Sequence, residues 1–235
     1  GNGTADVNGS VFSNIPGTYI LTYSKTDAAG NEAVQVSRTI TVRDTANPII
    51  VLDGNATLRH RVFQPYLDAG SIATDSLDGN LSATLLGTVD INIPGIYTLS
   101  YSVRDVAGNE AVTMFREIEV FNEAPTGITP KVLEVEEVLP VGSLVGTLST
   151  IDPDDPNATR EYSYSLAAGT ESVDNGSFVL EANGTLRTSL ILDFETKSSY
   201  TILVRVTDEF NASLEEILTV EVVDAFPPAL NQVRW

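Results

Sequence analysis

The most regular feature of this chain is a two-residue alternation of apolar and polar positions. Such alternation predicts half-buried antiparallel strands whose apolar side chains face a core. The apolar positions of the clearest segments are Tyr19, Leu21 and Tyr23; Tyr97, Leu99, Tyr101 and Val103; Tyr200, Ile202, Val204 and Val206; and Leu218, Val220 and Val222. No segment shows a convincing helical period of 3.6 residues, so we expect a turn or two of helix at most.

Turn-forming sequences separate these segments at spacings of about ten residues. They are Pro-Gly, Ala-Gly-Asn, Asp-Gly-Asn, Asp-Asn-Gly and Ala-Asn-Gly. Short strands that alternate with such turns are typical of β-sandwiches. The predicted fold class is therefore all-β, built from antiparallel sandwiches.

One segment of the chain occurs twice. Residues 15–34 and 93–112 are identical at 14 of 20 positions, and the two copies are 78 residues apart. A period of this length is the size of a small sandwich domain, so the repeat predicts modules arranged in tandem. Nothing before Val7 corresponds to residues 53–86, so we expect residues 1–44 to be the C-terminal part of a module, in a chain cut from a longer protein.

Proline-containing linkers mark the expected boundaries after this first part. Residues 45–122 form a second module, residues 123–224 a third, and residues 225–235 a linker into a next module. Short linkers that contain proline restrict swivelling, so the tandem modules are expected to form an extended rod.

The charge of the chain narrows its range of partners. The formal net charge is −19, and residues 123–224 alone carry 19 acidic side chains against five basic ones. Such a surface repels phosphate backbones, which argues against a nucleic-acid partner and favours cations. Cysteine is absent, which excludes disulfides and cysteine chemistry, and no run of 18 apolar residues predicts a membrane span.

The second module carries several motifs in a fixed order. They are Asp-Thr-x-x-Pro-Ile-Ile from Asp44, Tyr-Leu-Asp-Ala-Gly from Tyr66, Ala-Thr-Asp-x-x-Asp-Gly from Ala73, Pro-Gly-x-Tyr from Pro94 and Tyr-x-x-x-Asp-x-Ala-Gly-Asn from Tyr101. Residues 45–122 resemble the bacterial immunoglobulin-like repeat found in insecticidal crystal proteins and in secreted surface proteins. The resemblance implies an immunoglobulin-like sandwich, and residues 1–44 resemble the C-terminal part of the same module.

The third module shows a different set of motifs. They are Asn-Glu-Ala-Pro from Asn122, Val-Gly-x-x-Val-Gly-Thr-Leu from Val141, Asp-Pro-Asp from Asp152, Asn-Gly-x-Leu-Arg from Asn183, Leu-Asp-Phe-Glu from Leu192 and Val-Thr-Asp from Val206. In this order, residues 123–224 resemble a bacterial cadherin repeat. Cadherin repeats bind calcium at domain junctions, so the resemblance implies calcium ligands at both ends of this module.

At the upstream end, the resemblance implies ligands from four places in the sequence. Asp152 and Asp154 match the Asp-x-Asp pair of the family. Asp208 matches the aspartate after the penultimate strand, and Asn122 matches the linker asparagine. Glu123 matches a linker acid that normally serves the preceding domain, which here is not a cadherin. One or two ions are expected at this end.

At the downstream end, the implied ligands are Glu137, Asp193, Glu195 and Asp224. The family has an asparagine and an acid after this last aspartate, but the chain has Ala225 and Phe226. This departure favours a weaker or an empty site.

Two acidic loops have simpler interpretations that the sequence leaves open. The segment from Asp152 to Pro156 is also a good turn sequence, because Asp and Pro favour turns for their own reasons. The loop from Asp75 to Asn80 lacks the alternating ligands and closing glutamate of an EF-hand, so it predicts a hairpin turn rather than a calcium loop.

The sequence favours a protein that is not an enzyme. His60 is the single histidine, and it lies in a strand-like segment with no nucleophile motif, so we expect an exposed strand residue. There is no glycine-rich phosphate loop and no histidine-based metal cluster. Paired carboxylates are compatible with glycoside hydrolysis, but they lie where the cadherin pattern places ligands.

Taken together, these features predict a calcium-stiffened segment of a bacterial extracellular adhesin or surface filament. Its partners would be calcium, neighbouring modules of the same chain, and a cell-surface glycan or a like chain. The alternative is a carbohydrate-binding or spacer module of a secreted protein that acts on polysaccharides. A third hypothesis is that another chain supplies the strands that residues 1–44 lack.

Overall fold

The structure is a computed structural model that describes residues 3–157, 159–171 and 173–225. Most of the segment expected to lead into a next module, residues 226–235, lies outside the described residues. Contacts between Cα atoms divide the chain into two units. The first holds the residues up to Leu58 with Leu67–Val89 and Ile96–Ile118, and the second holds Arg59–Tyr66, Asp90–Gly95 and the described residues from Glu119 onward.

Strands are the main regular structure of the described residues, as the alternation predicts. The helical content is one turn of 3-10 helix at Asn175–Ser177, which agrees with the expectation from the sequence. Among the described residues, no helix has the length and apolar character that crossing a bilayer requires. The prediction of an all-β fold is therefore confirmed.

Residues 1–44 contribute one antiparallel sheet of three strands in the order β1-β2-β3. The strands are β1 (Asp6–Asn8), β2 (Gly17–Ser24) and β3 (Val36–Val42). The turn that joins β2 to β3 is held by Asp27, whose Oδ1 accepts hydrogen bonds from the backbone N–H groups of Ala29 and Asn31. An aspartate that accepts hydrogen bonds from the backbone two to four residues later is a common turn former.

The next seven strands form two sheets, in the orders β4-β6-β7 and β5-β10-β9-β8. They are β4 (Ile49–Leu52), β5 (Thr57–Arg61), β6 (Ser71–Asp75), β7 (Gly79–Leu81), β8 (Thr84–Leu86), β9 (Gly95–Ser102) and β10 (Met114–Phe121). The hairpin predicted at residues 75–80 joins β6 to β7, with Asp75 paired to Gly79. His60 lies on strand β5 as expected, but it is half-buried against the ring of Tyr66 rather than exposed.

The core of this part contains a buried arginine that the sequence patterns did not indicate. Strand β10 turns Arg116, Ile118 and Val120 inward. The acceptors of the Arg116 guanidinium are the Asp68 carboxylate, the Tyr101 hydroxyl and the carbonyl oxygens of Asp53, Asn55 and Gly70. Burial raises the pKa of Asp68, but hydrogen bonds from Tyr101 and Arg116 outweigh it, so the pKa lies below its ordinary value.

The remaining strands form sheets in the orders β11-β14, β12-β19-β18-β15 and β13-β17-β16. They are β11 (Gly127–Thr129), β12 (Val132–Glu136), β13 (Leu144–Thr147), β14 (Ser149–Ile151), β15 (Ser163–Leu166), β16 (Phe178–Leu180), β17 (Thr185–Thr188), β18 (Ser199–Thr207) and β19 (Ser213–Val223). The pairing of β12 with β19 departs from the antiparallel prediction, because these two strands run parallel. Alternation specifies which face of a strand is buried, not the direction of its neighbour.

The core between these sheets follows the predicted alternation closely. Every apolar position named for β18 and β19 is buried: Tyr200, Ile202, Val204, Val206, Leu218, Val220 and Val222. Their inward faces meet Leu133 and Val135 of β12, and Leu186 of β17. This core fixes the strand ends, and it is at those ends that the acidic residues lie.

Candidate metal sites in the carboxylate clusters

The predicted upstream ligands line one cavity in the second unit: Asn122, Asp152, Asp154 and Asp208. Asn122 directly follows β10, the two aspartates of the Asp-x-Asp pair follow β14, and Asp208 follows β18. The structure therefore brings together side chains that come from three separate strand ends. We call these four residues the upstream cluster.

Backbone and amide hydrogen bonds orient the upstream cluster. Asp152 Oδ1 accepts the backbone N–H of Asp154 at 2.7 Å, and Asp154 Oδ2 accepts the backbone N–H of Glu123 at 2.6 Å. Asn122 Nδ2 donates to Asp208 Oδ2 at 2.7 Å. Asp152 and Asp154 are each 5% exposed. The carboxylates are therefore held by the protein and shielded from most of the solvent.

Arg61 of strand β5 is the cation of this cluster in the structure, and sequence reasoning missed it. Its Nε lies 3.2 Å from Asp154 Oδ1, and its Nη2 lies 2.7 Å from the Glu123 carboxylate. The same Asp154 oxygen is buried and accepts no hydrogen bond. Glu123 thus pairs with an arginine of strand β5. The partner could not be identified from sequence because it lies 93 residues away from Asp154.

Burial and the crowding of negative charge raise the pKa values of two aspartates of the upstream cluster. Burial raises the pKa of Asp152, and the negative charges of Asp208 and Asp155 raise it further. Burial also raises the pKa of Asp154, and so do the charges of Asp152 and Glu123. A carboxylate with a raised pKa is one whose ionised form is poorly stabilised, and a divalent cation would stabilise that form.

Asp155 shows that the simpler turn interpretation of this loop is also correct in part. Its carboxylate accepts hydrogen bonds from the backbone N–H groups of Thr159 and Arg160 at 3.0 and 2.8 Å. Burial raises the pKa of Asp155, but these hydrogen bonds outweigh it and hold the pKa below its ordinary value. Asp155 therefore shapes the loop through its hydrogen bonds, and it lines the same cavity as Asp152 and Asp154.

The predicted downstream ligands also lie together. Glu137, Asp193 and Glu195 each offer a carboxylate oxygen, and these atoms all lie within 4.8 Å of one another. Glu137 directly follows β12, and the other two lie on the loop between β17 and β18. We call these three residues the downstream cluster. Glu137 is 4% exposed, whereas Asp193 and Glu195 are exposed.

Asp224 lies beside the downstream cluster because of the parallel strand pair. Strand β12 pairs with β19 so that Glu136 is opposite Val223, which places Glu137 beside Asp224 in the register. The Glu137 carboxylate accepts the backbone N–H groups of Phe194 and Ala225 at 3.0 and 3.1 Å. The side chain thus ties the outgoing chain to the β17–β18 loop.

The two exposed carboxylates of this cluster differ in acidity. Hydrogen bonds, first from the Thr196 hydroxyl, hold the pKa of Asp193 below its ordinary value. A backbone hydrogen bond lowers the pKa of Glu195, but burial and the negative charges of Glu137 and Asp224 together raise it above its ordinary value. Two oxygen ligands at 2.3–2.6 Å from one calcium ion lie no more than about 5 Å apart, so the spacing of this cluster fits one ion.

Two family models match the chain. Residues 2–42 and 50–120 match the model described as "Bacterial surface protein, Ig-like domain", and residues 131–223 match the model of the cadherin domain. Both resemblances drawn from the sequence are thereby confirmed, in the order expected. Modules of these families are typical of adhesion and surface proteins in an extracellular setting, and they are typically non-catalytic.

Animal cadherins are among the curated proteins that resemble the chain. Human Protocadherin Fat 4 is 27% identical over 195 residues, which is 78% of this chain and 4% of the relative. Human Protocadherin beta-1 is 35% identical over 91 residues, or 39% of this chain and 11% of the relative. Protein dachsous of Drosophila melanogaster is 28% identical over 145 residues, which is 58% of this chain and 4% of the relative. The chain therefore spans a small fraction of the length of these relatives.

Solved structures of cadherin domains also resemble the chain. The match to mouse Protocadherin-24 EC1-3 covers 91% of this chain and 81% of the matched chain, with a TM-score of 0.44 and 15% identity. The match to the third cadherin domain of human protocadherin 7 covers 47% of this chain and 95% of the matched chain, with a TM-score of 0.37 and 19% identity. Along the chain, the match to the model of the bacterial surface Ig-like domain precedes the match to the model of the cadherin domain.

Proposed function

We propose that this chain is a non-catalytic, calcium-binding segment of a bacterial extracellular adhesin or surface filament. In this proposal, calcium binds at both ends of the cadherin-like module and stiffens the chain where it enters and leaves that module. The bacterial origin rests on the Ig-like match, since the curated relatives described above are animal cadherins.

The observation that carries the proposal is the downstream cluster. Three acidic side chains from two separate segments of the sequence have carboxylate oxygens within 4.8 Å of one another, and one of them, Glu137, is buried. Burying a carboxylate beside two others is unfavourable unless a cation compensates for it. Calcium, when bound, supplies two positive charges and accepts irregular arrangements of oxygen ligands.

The upstream cluster supports the proposal in a different way. Asp154 Oδ1 is buried and accepts no hydrogen bond, so it is oriented as a free ligand atom would be. Its neighbour Arg61 carries one positive charge and also serves Glu123. We propose that calcium competes with Arg61 for Asp154, and that this end of the module therefore binds calcium more weakly than the downstream end.

Extracellular calcium modules bind the ion with dissociation constants of about 10⁻⁴–10⁻³ M. At ten times the dissociation constant, one occupied site adds about 1.4 kcal/mol to the free energy of unfolding. For a module of about 100 residues this corresponds to a rise in melting temperature of several degrees.

Calorimetric unfolding of the full chain, in EDTA and then in millimolar calcium, tests the proposal. We expect calcium to raise the melting temperature by several degrees, and we expect Asp193→Asn/Glu195→Gln to lose most of that rise. The matched control is Glu134→Gln/Glu136→Gln, which removes two exposed carboxylates from β12 just before Glu137. If calcium does not raise the melting temperature of the parent chain, the proposal is wrong. If the control loses the rise equally, charge density rather than a specific site is responsible for it.

A further inference from the structure

A third group of acidic side chains lies in the first unit. Asp44, Asp75, Asp78 and Asp105 each offer a carboxylate oxygen, and these atoms all lie within 4.8 Å of one another. They come from the segment after β3, the end of β6, the turn before β7 and the segment after β9. We call these four residues the Asp75 cluster.

Two oxygen atoms of the Asp75 cluster are buried and accept no hydrogen bond. They are Asp44 Oδ2 and Asp75 Oδ2, and the whole Asp75 residue is 8% exposed. Buried carboxylate oxygens are almost always paired in folded proteins, because an unpaired one loses its hydration without replacement. Two such atoms within one group of four carboxylates point to a ligand that both would bind.

Several other oxygens of the cluster accept hydrogen bonds from the backbone. Asp75 Oδ1 accepts the N–H groups of Leu77 and Asp78, and Asp44 Oδ1 accepts that of Ala46. Asp78 Oδ2 accepts the N–H of Val106 at 2.9 Å. Hydrogen bonds of this kind fix the orientation of a side chain, as outer partners do around metal ligands. The free oxygens of Asp44 and Asp75 are thus oriented before any ligand binds.

No basic side chain neutralises this group among the residues that the structure describes. None of the ten ion pairs between described residues includes a member of the Asp75 cluster. Arg43, the basic residue next to Asp44, is exposed and lines a neighbouring cavity with it, but forms no ion pair with the cluster. The upstream cluster, by contrast, has Arg61 as its cation.

We infer that the Asp75 cluster is a divalent-cation site of the Ig-like part of the chain, and that calcium is the ion it binds. The donors are all carboxylate oxygens, which suit hard cations and disfavour zinc or copper. Calcium accommodates ligands at irregular angles, whereas magnesium demands near-ideal octahedral geometry and retains most of its water. The site does not depend on the calcium sites proposed for the cadherin-like module.

The turn that carries Asp105 offers an internal control. Asp105 Oδ1 accepts the backbone N–H of Asn109 at 2.7 Å, and Asp27 Oδ1 accepts that of Asn31 at 2.8 Å in the repeated segment. The two turns have the same local structure, but among the described residues no group of three or more acids includes Asp27. A change that only weakens the turn should therefore behave alike at both positions.

Equilibrium dialysis of the full chain against calcium chloride tests the inference. The starting protein carries Asp154→Asn and Asp193→Asn, which weaken both cadherin-like sites, so that the remaining bound calcium reports the Asp75 cluster. We expect about one ion per chain at millimolar calcium, and its loss on addition of either Asp75→Asn or Asp44→Asn. Asparagine keeps the Oδ1 acceptor at both positions, and circular dichroism checks that each variant is folded.

Asp105→Asn in the same starting protein should also lose the ion, whereas the matched control Asp27→Asn, at the equivalent turn position, should leave the bound calcium unchanged. If the starting protein binds no calcium, or if Asp75→Asn and Asp44→Asn both retain the ion, the inference is wrong. Either result would leave the proposed cadherin-like sites untouched, because those sites are tested by the parent chain and the Asp193→Asn/Glu195→Gln variant. If Asp75→Asn does not fold, the Asp44→Asn variant decides the matter by itself.

Discussion

The repeated segment allows the same residues to be compared in two environments. Strands β2 and β3 of the first module correspond to β9 and β10 of the second, and the turns between them share the same hydrogen bonds from Asp27 and Asp105. Burial differs sharply. Arg116 is fully buried and Leu99 is 3% exposed, whereas their equivalents Arg38 and Leu21 are exposed and half-buried.

The difference shows what local sequence does and does not determine. Each copy forms two long strands and one turn, because alternation and an aspartate-held turn need no distant partner. The second copy has β5 beside β10 and β8 beside β9 in its sheet, and Asp53, Asn55 and Asp68 accept hydrogen bonds from its buried Arg116. The described residues of the first module include only β1 beside the same pair of strands.

The largest contrast is expected from removal of the arginine. Arg116→Met removes the charged partner of the half-buried Asp68 carboxylate and the donor to three carbonyl oxygens, and loss of one partner of a buried pair costs about 3–5 kcal/mol. Arg38→Met changes an exposed side chain and should cost less than about 0.5 kcal/mol. Calorimetric unfolding of both variants measures the difference. Equal losses of stability would contradict the structural contrast between the two copies.

A smaller contrast is expected at the equivalent leucines. Leu99→Ala removes a side chain that is 3% exposed, and such core truncations cost about 2–5 kcal/mol. Leu21→Ala removes a half-buried side chain in the first module, so we expect about 1 kcal/mol, in proportion to the smaller area withdrawn from water. Urea denaturation of the two variants and the parent chain gives both values. A larger loss at Leu21 would show that residues 1–44 have a core of their own.

The smallest effect in this series is a pH dependence in the second module. The pKa of Asp68 in the folded state lies below its ordinary value of 3.8, so the unfolded state binds this proton more tightly. Its contribution to stability is therefore present above 3.8 and is lost as the pH falls through the folded-state pKa. Asp68→Asn should cost about 1.5–3 kcal/mol near neutral pH.

The difference between Asp68→Asn and the parent chain should shrink as the pH is lowered past 3.8, because the parent then also carries a neutral side chain. Asp6→Asn, which removes an exposed carboxylate from β1, is the control and should show no such convergence. A difference that stays constant with pH would mean that Asp68 acts through packing rather than through its charge.

Much of the candidate metal chemistry was predictable because it depends on short motifs. The Asp-Pro-Asp and Leu-Asp-Phe-Glu sequences indicated Asp152, Asp154, Asp193 and Glu195, and the structure places them in two clusters at opposite ends of one sandwich's strands. Arg61 and the Asp75 cluster were missed. Their members are separated by tens of residues, and no local pattern distinguishes Asp44 or Arg61 from an ordinary surface charge.

The sequence alone determined the strands, the turns, the tandem repeat and the two families, because each depends on residues close together in the chain. The tertiary structure decided which copy of the repeat is buried, that β12 runs parallel to β19, and which carboxylates lie close together. The physical reason is that burial and charge pairing depend on groups brought together from distant segments. Asp44 and Asp105 are 61 residues apart in the sequence, and yet one cation could bind to both.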